Sequence, residues 1–285
     1  MGADMNLMSV TMQEFLNLVR EAILDEEFTT PILCLGKTGI GKTESIFSVT
    51  KELGIGYKEL RLINYTETDL IGIPTVEKLP SGVLVARWAQ MGRLPVVERD
   101  GEVGIMVLDE ITSASDTVRA AAFQLMDSSR SVGDYKLPEK WLIVALGNGP
   151  DDGGVFKGLE YAFLGRCLGV RVEPDFNSWK NWALNNGVHP AVVGFLAWQP
   201  QYIHDLNLEA EYAEKAPSPR AWTKLSIKLI NAEKRVGGTL DRRSVEVYAA
   251  AAVGNKLAPT FAAFYSYKND VVSAEEILNG KGLDK

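Results

Sequence analysis

The chain has 285 residues, of which 46% are hydrophobic and 24% are charged, and its formal net charge is −7. These values are typical of a globular protein with one large domain or two smaller ones, and the chain is long enough to bury a core without relying on disulfides or metals. The acidic balance and the lack of a Lys/Arg-rich stretch disfavour a protein that follows the nucleic-acid backbone, and no apolar run is long enough to span a membrane.

The first part of the chain alternates apolar runs with amphipathic helical segments. Thr11 and Glu14 form a capping box at the start of the first helix. Residues 64–103 are less regular, with an alternating stretch at Val83–Arg87 and a hairpin-like segment at Val96–Glu98. Strands are predicted at 32–35, 57–63, 104–108, 141–146 and 168–172, and helices at 11–26, 42–53, 115 or 116 to 126, and 159–164. Strands that alternate with helices predict βαβ units and a parallel sheet, and therefore an α/β fold.

From Pro174 onward only helical patterns occur. The helix at 219–235 is well marked, because Ser218 occupies the N-cap position, Pro219 the first helical position, and Gly237 follows a basic last turn. The helices predicted in this part are 176–186, 189–197, 219–235, 242–253, 257–267 and 273–279. We therefore expect two domains, an α/β domain at 1–174 and a small all-helical lid domain at 175–285.

The segment Gly36–Thr43 joins a predicted strand to a predicted helix and satisfies the pattern G-x-x-x-x-G-K-[ST]. In this P-loop pattern, glycines let backbone N–H groups turn towards phosphates, Lys42 reaches the β- and γ-phosphates, and the Thr43 hydroxyl binds Mg²⁺. A glycine-rich turn without a ligand is the alternative, which the strand before and the helix after disfavour. The residues expected around Mg²⁺ and ATP are Gly36, Lys37, Thr38, Gly39, Ile40, Gly41, Lys42, Thr43 and Glu44.

Two acids close the apolar run that begins at Gly104. Asp109 is expected to hold Mg²⁺ through water, beside the Thr43 hydroxyl. Glu110 is expected to act as a base, or to position the water that attacks the γ-phosphate. Two acids at the end of a strand can also be plain solvated groups, but the presence of a P-loop favours the functional interpretation.

Three further polar residues are candidates for the same site. Asn148 follows the strand at 141–146, where its amide could orient the attacking water, although Gly147–Pro150 also reads as a plain turn. Arg166 lies between a short helix and a strand, and most single arginines are surface charges. Arg220 lies in the first turn of a helix, where a cation opposes the helix dipole, so we expect an anionic partner such as a phosphate.

The order of these parts resembles that of AAA+ ATPases, and the sequence is similar to the MoxR-like branch of the dynein-related group. The resemblance covers about residues 10–235 and is carried by Gly36–Thr43, Asp69–Pro74, Val107–Ile111, Asn148, Leu164–Arg166 and Ser218–Trp222. It implies a nucleotide-binding domain with a helical lid, Mg²⁺-dependent ATP hydrolysis, and a homo-oligomeric ring, usually a hexamer, with ATP bound between subunits.

By residue match, the resemblance makes Asn148 the sensor 1 residue and Arg220 the sensor 2 residue of the lid. It makes Arg166 the arginine finger that a subunit offers to its neighbour, and Arg119 and Arg130 are alternative candidates for that finger. The sequence departs from the family at two points, because Cys167 follows the finger in place of an aromatic residue and an extra glycine, Gly149, precedes Pro150.

The resemblance implies a cytoplasmic ATPase that remodels or activates client proteins, often with a von Willebrand factor A-domain partner. A nucleic-acid motor or loader of the same family is the alternative, although nucleic acid is disfavoured by the charge balance. A GTPase-type switch is a further alternative. Asp69–Gly72 imitates its D-x-x-G motif without a preceding strand, and Asn255–Ala258 lacks the acid of N-K-x-D.

The cysteine usage agrees with a cytoplasmic location. Cys34 and Cys167 are the two cysteines of the chain, and each lies in an apolar stretch far from the other. This usage predicts two buried thiols in a reducing compartment rather than a disulfide. The first ten residues show no basic segment followed by an apolar run, so no secretory signal is predicted there.

Overall fold

The computed structural model describes residues 7–150, 152, 156–205 and 215–270, and the helix predicted at 273–279 lies outside them. The chain divides into two compact units, Met1–Glu173 and Pro174–Lys285. The first unit has two hydrophobic cores, one on each face of its sheet, and the second unit has one. Among the helices of the described residues, none combines the length and the apolar character needed to cross a lipid bilayer.

The first unit contains strands and helices in alternation. Its strands are β1 (Met8–Val10), β2 (Ile32–Gly36), β3 (Gly56–Arg61), β4 (Ile73–Lys78), β5 (Leu84–Ala89), β6 (Gly104–Asp109), β7 (Ser131–Val132), β8 (Tyr135–Lys136), β9 (Trp141–Gly147) and β10 (Leu168–Val172). Its helices are α1 (Met12–Leu24), α2 (Lys42–Leu53), α3 (Glu67–Ile71), α4 (Val97–Asp100), α5 (Asp116–Met126) and α6 (Tyr161–Leu164).

Six of the strands form one parallel sheet in the order β1-β10-β2-β9-β6-β3. The central strands β2, β6 and β9 are buried along their whole length. Strands buried on both faces need continuous apolar runs, which explains why these segments show no polar alternation. The predicted fold class, a parallel α/β sheet followed by a helical region, is confirmed.

The two faces of the sheet carry separate cores, because successive side chains of a strand point to opposite faces. In β2, Leu33 and Leu35 join one core, whereas Ile32 and Cys34 join the other. The helices α1 and α2 cover the Cys34 face, and α5 covers the opposite face. The helix residues in these cores are Phe15, Val19, Ile46 and Val49 on the first face, and Val118, Ala122 and Leu125 on the second.

Several details differ from the sequence-based expectations. Val96–Glu98 is not part of a hairpin; the segment enters helix α4, whose turn is closed when the Asp100 carboxylate accepts a hydrogen bond from the Val96 N–H at 2.9 Å. The strand predicted at 57–63 ends at Arg61 and continues as a 3-10 turn. The alternating stretch Val83–Arg87 does form a strand, β5, which pairs with β4 in an exposed antiparallel hairpin.

Strand β1 and helix α3 were not predicted, because each is very short. Three residues suffice for β1 to pair with β10 at the edge of the sheet. Helix α3 begins at a capping box in which the Asp69 carboxylate accepts hydrogen bonds from the Thr66 N–H at 2.9 Å and the Thr66 hydroxyl at 2.8 Å. Asp69 therefore caps helix α3. This structural role accounts for the Asp of the D-x-x-G pattern without a phosphate site.

The second unit consists of helices among its described residues. These helices are α7 (Phe176–Asn185), α8 (Pro190–Trp198), α9 (Pro219–Val236), α10 (Arg242–Val253) and α11 (Ala258–Asp270). Their core is aromatic, with the Phe195 ring 5.5 Å from the Trp222 ring and 5.3 Å from the Phe261 ring between centroids. The predicted start of α9 is confirmed, because the Ser218 hydroxyl accepts a hydrogen bond from the Ala221 N–H.

Both cysteines are free thiols. Cys34 is fully buried on β2, and burial raises the pKa of its thiol to about 12. Cys167 is half-buried, and burial raises the pKa of its thiol to about 11. Thiols with such high pKa values carry almost no thiolate at neutral pH, so neither is poised as a nucleophile.

Candidate nucleotide-binding site

The carboxyl ends of β2, β6 and β9 meet at one edge of the sheet. After β2, the next strands of the sheet, β3, β6 and β9, lie on one side of β2, whereas the last strand, β10, lies on its other side. The strand order therefore reverses at β2. In open α/β sheets, ligands bind outside the carboxyl ends of the strands at such a switch point. The segment Gly36–Thr43 begins at this end of β2 and leads directly into α2.

The loop between β2 and α2 has the backbone of a phosphate cradle. Gly39 has a φ of 79° and Gly41 a φ of 99°, both in a region that favours glycine. The first turn of α2 follows at once, so its unpaired N–H groups face the loop, and the positive end of the helix dipole lies there. Glu44 also lies in this first turn, and its side chain is exposed.

The Lys42 side chain folds back over this loop. Its Nζ donates hydrogen bonds to the carbonyl oxygens of Gly36 at 2.5 Å and Lys37 at 3.0 Å. Only 8% of the residue is exposed, and burial lowers the pKa of its ammonium group, while the negative charges of Asp152 and Glu110 act in the opposite direction. Within the described part of the chain, this buried ammonium donates its hydrogen bonds to carbonyl oxygens, which phosphate oxygens are suited to replace.

Thr43 and Asp109 come together although 66 positions separate them in the sequence. The Thr43 Oγ1 donates a hydrogen bond to the Asp109 Oδ2 at 3.2 Å. A hydroxyl and a carboxylate oxygen are ligands of the kind that Mg²⁺ prefers, and Mg²⁺ usually keeps several waters beside one or two protein ligands and phosphate oxygens. The side chains at this point therefore fit a magnesium ion bound together with a nucleotide.

Glu110 follows β6 in a conformation that is unusual for a residue with a side chain. Its φ is 59°, in the left-handed region, and its N–H donates to the Asp109 Oδ1 at 3.0 Å. Non-glycine residues in such conformations cluster at functional sites, where the surrounding structure maintains them. Here the turn separates the two acids, so that Asp109 contacts Thr43 while Glu110 contacts other residues.

The Glu110 carboxylate is held by two side chains. Its Oε2 accepts hydrogen bonds from Asn148 Nδ2 at 3.3 Å and from Ser113 Oγ at 3.4 Å. Asn148 is 6% exposed, and its backbone N–H donates to the hydroxyl of the fully buried Thr112 at 3.0 Å. The amide predicted to contact the attacking water therefore also fixes the carboxylate predicted to act on that water.

The three candidate finger arginines have different surroundings. Arg130 is buried and donates to the carbonyl oxygens of Glu139, Pro138 and Trp141. Arg119 donates to the carbonyl oxygens of Lys157 and Gly158 and pairs with Asp116 at 2.9 Å. Arg166 is 44% exposed and pairs with the equally exposed Asp127 at 3.2 Å. Of the three, Arg166 has the side chain that is most available to another molecule.

Arg220 lies in the first turn of α9 in the second unit, and its side chain is exposed. The first turn of α9 contains no acidic residue. Among the residues that the structure describes, no carboxylate forms an ion pair with the Arg220 guanidinium. The anionic partner that the sequence led us to expect is thus not supplied by these residues.

Three residues beside the site were not identified from the sequence. Arg61, at the end of β3, places its Nε 3.7 Å from the Asp109 Oδ2. Thr112 anchors the backbone of Asn148. Asp152 has a fully buried side chain whose charge acts on Lys42. A lone Arg, Thr or Asp has no motif of its own, and these contacts arise only when the folded sheet brings β3, β6, β9 and β10 together.

Comparisons with known proteins were made for the whole chain. No protein-family model matches it, and no curated protein matches it. Among solved structures, the chain is similar to the RuvB Holliday junction branch migration motor of Thermotoga maritima, with 15% identity and a TM-score of 0.47 over 90% of this chain and 67% of that one. A mutant form of the same RuvB gives 14% identity and a TM-score of 0.47, covering 88% and 68%. A putative ATPase from Cytophaga hutchinsonii gives 16% identity and a TM-score of 0.38, covering 95% and 89%.

Proposed function

We propose that the chain is a Mg²⁺-dependent ATPase of the AAA+ type, with its nucleotide site at Gly36–Thr43. The observation that carries this proposal is the contact of Thr43 with Asp109, beside a Glu110 carboxylate held by Asn148. A P-loop, a magnesium-type ligand pair and a base with a fixed orientation are the parts that phosphoryl transfer to water requires.

The roles of the side chains follow from their positions. Lys42 exchanges the carbonyl oxygens of Gly36 and Lys37 for the β- and γ-phosphate oxygens. Thr43 and Asp109 would hold Mg²⁺, which would supply positive charge to neutralise those oxygens. Glu110 accepts a proton from the water that attacks the γ-phosphorus, the bond from that phosphorus to the β,γ-bridging oxygen breaks, and ADP and phosphate are the products.

We further propose that the chain acts as a homo-oligomeric ring and is similar in activity to the MoxR-like branch, remodelling or activating client proteins, with von Willebrand factor A-domain proteins as candidate partners. The exposed Arg166 supports a role in trans, because a finger must reach the site of a neighbouring subunit. The exposed Arg220, without a carboxylate among the described residues, supports a role as the phosphate-sensing arginine of the lid. A cytoplasmic location is part of the same proposal.

The alternative proposal is a nucleic-acid motor or loader of the same type. The two proposals differ in what stimulates hydrolysis. Stimulation by DNA or RNA with a steep dependence on salt would favour the motor, since phosphate contacts release counterions. Stimulation of hydrolysis by a protein client would favour remodelling, provided that the stimulation persists after nuclease treatment. The net charge of −7 makes the protein client our choice.

The variant Glu110→Gln tests the ATPase proposal directly. It should bind ATP with unchanged affinity and hydrolyse it on the order of 10²–10⁴-fold more slowly, because the amide cannot accept the proton of the attacking water. Binding is measured by titration calorimetry and turnover by phosphate release. Glu98→Gln, an exposed acid in α4, is the matched control. Hydrolysis by Glu110→Gln at the wild-type rate would refute this assignment of the base.

A further inference from the structure

A buried ion pair joins the segment that follows β9 to strand β10. The Asp152 side chain has no exposed surface, and its Oδ1 accepts a hydrogen bond from Arg171 Nη2 at 2.6 Å. The Oδ2 of the same carboxylate accepts a hydrogen bond from the N–H of Gly149, the residue after Asn148. The two oxygens of the buried Asp152 carboxylate therefore link Gly149 to Arg171 on β10.

This pair spans the strand that begins the P-loop. β9 and β10 pair with opposite sides of β2, and in the β10 register Arg171 lies next to Leu35, one residue before Gly36. A link from the end of β9 to Arg171 must cross the carboxyl end of β2. Burial lowers the pKa of the Lys42 ammonium, and the negative charge of Asp152 acts in the opposite direction, so the buried acid influences the P-loop lysine.

The backbone at Gly149 lies close to both charges of the pair. A Cβ at Gly149 would lie 2.7 Å from the Asp152 Oδ2 and would press against the Arg171 guanidinium. Any larger residue at this position would push the two charges apart or move the Asn148 backbone. Gly149 is thus the residue that allows the chain to approach the ion pair directly after Asn148.

A second arm of Arg171 leads through Glu173 to Lys37, a residue of the P-loop. Its Nε donates to the Glu173 Oε1 at 2.8 Å, and the Glu173 Oε2 lies 3.9 Å from the Nζ of Lys37. Both Glu173 and Lys37 are considerably exposed, so this outer arm contributes little by itself. The buried arm to Asp152 is the one that determines geometry, because unpairing a buried charge is costly.

We propose that Asp152 and Arg171 are positioning residues for hydrolysis, which act by fixing Asn148 and, through it, the Glu110 carboxylate. The proposal rests on the proposed function of the Gly36–Thr43 site. Neither side chain is among the groups that we propose to bind phosphate, so Arg171 should affect turnover rather than ATP affinity, whereas the Asp152 charge also acts on Lys42. A carboxylate that is misplaced by about 1 Å can lose about 100-fold in rate.

The test compares Arg171→Met, Arg171→Lys and Asp152→Asn with the wild-type chain. Arg171→Met should lower kcat about tenfold or more and leave KM for ATP within about twofold of wild type. Asp152→Asn should lower kcat by a similar factor, and kcat is the constant that tests the proposal there, because the substitution also removes a negative charge that acts on Lys42. Arg171→Lys keeps the positive charge beside Asp152 and should restore most of kcat. Arg20→Met is the matched control, because Arg20 forms an ion pair with Glu52 on α2 at 2.8 Å, outside the loop that carries Asn148.

A second measurement does not depend on turnover. Hydrogen exchange at the backbone amides of Asn148 and Gly149 should accelerate in Arg171→Met, whereas exchange at Leu33 in β2 should stay slow. If Arg171→Met fails to fold, Gly149→Ala carries the same test, since its methyl group separates the pair. If the wild type hydrolyses ATP, variants with the wild-type kcat would overturn the inference. Unchanged exchange at Asn148 in the variants would overturn it as well. A wild type without ATPase activity would instead refute the proposed function, and the exchange rates would still decide whether the pair holds Asn148.

Discussion

Asn148 donates a hydrogen bond from its Nδ2 to the Glu110 Oε2 over 3.3 Å, so an amide at the end of β9 orients an acid at the end of β6. The two strands are neighbours in the sheet, with Leu108 opposite Ala145. The partners are 38 positions apart in the sequence and meet only because parallel strands end at the same edge. The contact places the Asn148 amide where it orients the carboxylate that we propose as the base.

Replacement of Asn148 should therefore affect kcat. Asn148→Ala removes the donor to Glu110 and leaves the backbone bond to Thr112 in place, so the protein should fold and bind ATP. We expect a decrease in kcat on the order of 10–100-fold with KM for ATP nearly unchanged. Steady-state phosphate release measures both constants. Asn185→Ala, on an exposed face of α7, is the control. Equal kcat values for the two variants would contradict a role of Asn148 in hydrolysis.

Lys42→Ala should prevent tight nucleotide binding. The substitution removes the ammonium group that bonds to the P-loop carbonyls, and charge-assisted hydrogen bonds are worth about 1.5–3 kcal/mol each, so ATP affinity should fall on the order of 100-fold or more. Calorimetric titration with ATP provides the measurement. Lys51→Ala serves as the control, because Lys51 lies in the last turn of the same helix over the Phe47 ring. Retained ATP affinity in folded Lys42→Ala protein would contradict the P-loop assignment.

Arg166→Ala should bind ATP and lose turnover if the finger acts in trans. An arginine finger contributes on the order of 10³–10⁵ in rate. Mixed assemblies provide the decisive measurement: Lys42→Ala subunits, which retain Arg166, should restore part of the activity of Arg166→Ala subunits. Arg243→Ala, an exposed arginine of α10, controls for loss of surface charge. Full activity of Arg166→Ala alone would end the finger assignment, as would a lack of complementation in assemblies shown to contain both subunits.

Arg220→Ala should weaken the response of the protein to nucleotide without unfolding α9. The Ser218 cap and Pro219 at the helix start are retained, so the helix should persist. We expect weaker ATP affinity, slower hydrolysis, or both, by an amount typical of one charge-assisted contact, about 1.5–3 kcal/mol. Circular dichroism checks the helix content, and calorimetry and phosphate release check function. Wild-type ATP affinity and wild-type hydrolysis in a folded Arg220→Ala protein would show that Arg220 is only a surface charge.

Arg130→Met should lower stability rather than catalysis. The buried guanidinium satisfies three carbonyl oxygens around the start of β9, and leaving buried acceptors without donors costs about 1–3 kcal/mol each. We expect a decrease of about 2–4 kcal/mol in the free energy of unfolding, measured by denaturant titration, with kcat per folded molecule unchanged. A loss of kcat without a loss of stability would instead support Arg130 as the arginine finger.

Much of the architecture was accessible from local patterns in the sequence. The continuous apolar runs at β2, β6 and β9 predict buried parallel strands, since such strands are covered on both faces. The caps at Thr11 and Ser218 fixed the starts of α1 and α9, because a cap depends on residues within three positions of each other. The very short elements β1, α3 and α4 were missed or misread, because their stability comes from neighbours rather than from their own sequence.

The sequence by itself determined the P-loop, because its function depends on eight consecutive residues and on the strand and helix that flank them. The contacts that orient the site are of another kind. Asp109 with Thr43, Asn148 with Glu110, and Arg171 with Asp152 each join segments that are distant in the sequence. Only the tertiary structure decided them, because strand order in the sheet determines which strand ends become neighbours, and burial then gives each polar group the few partners it can reach.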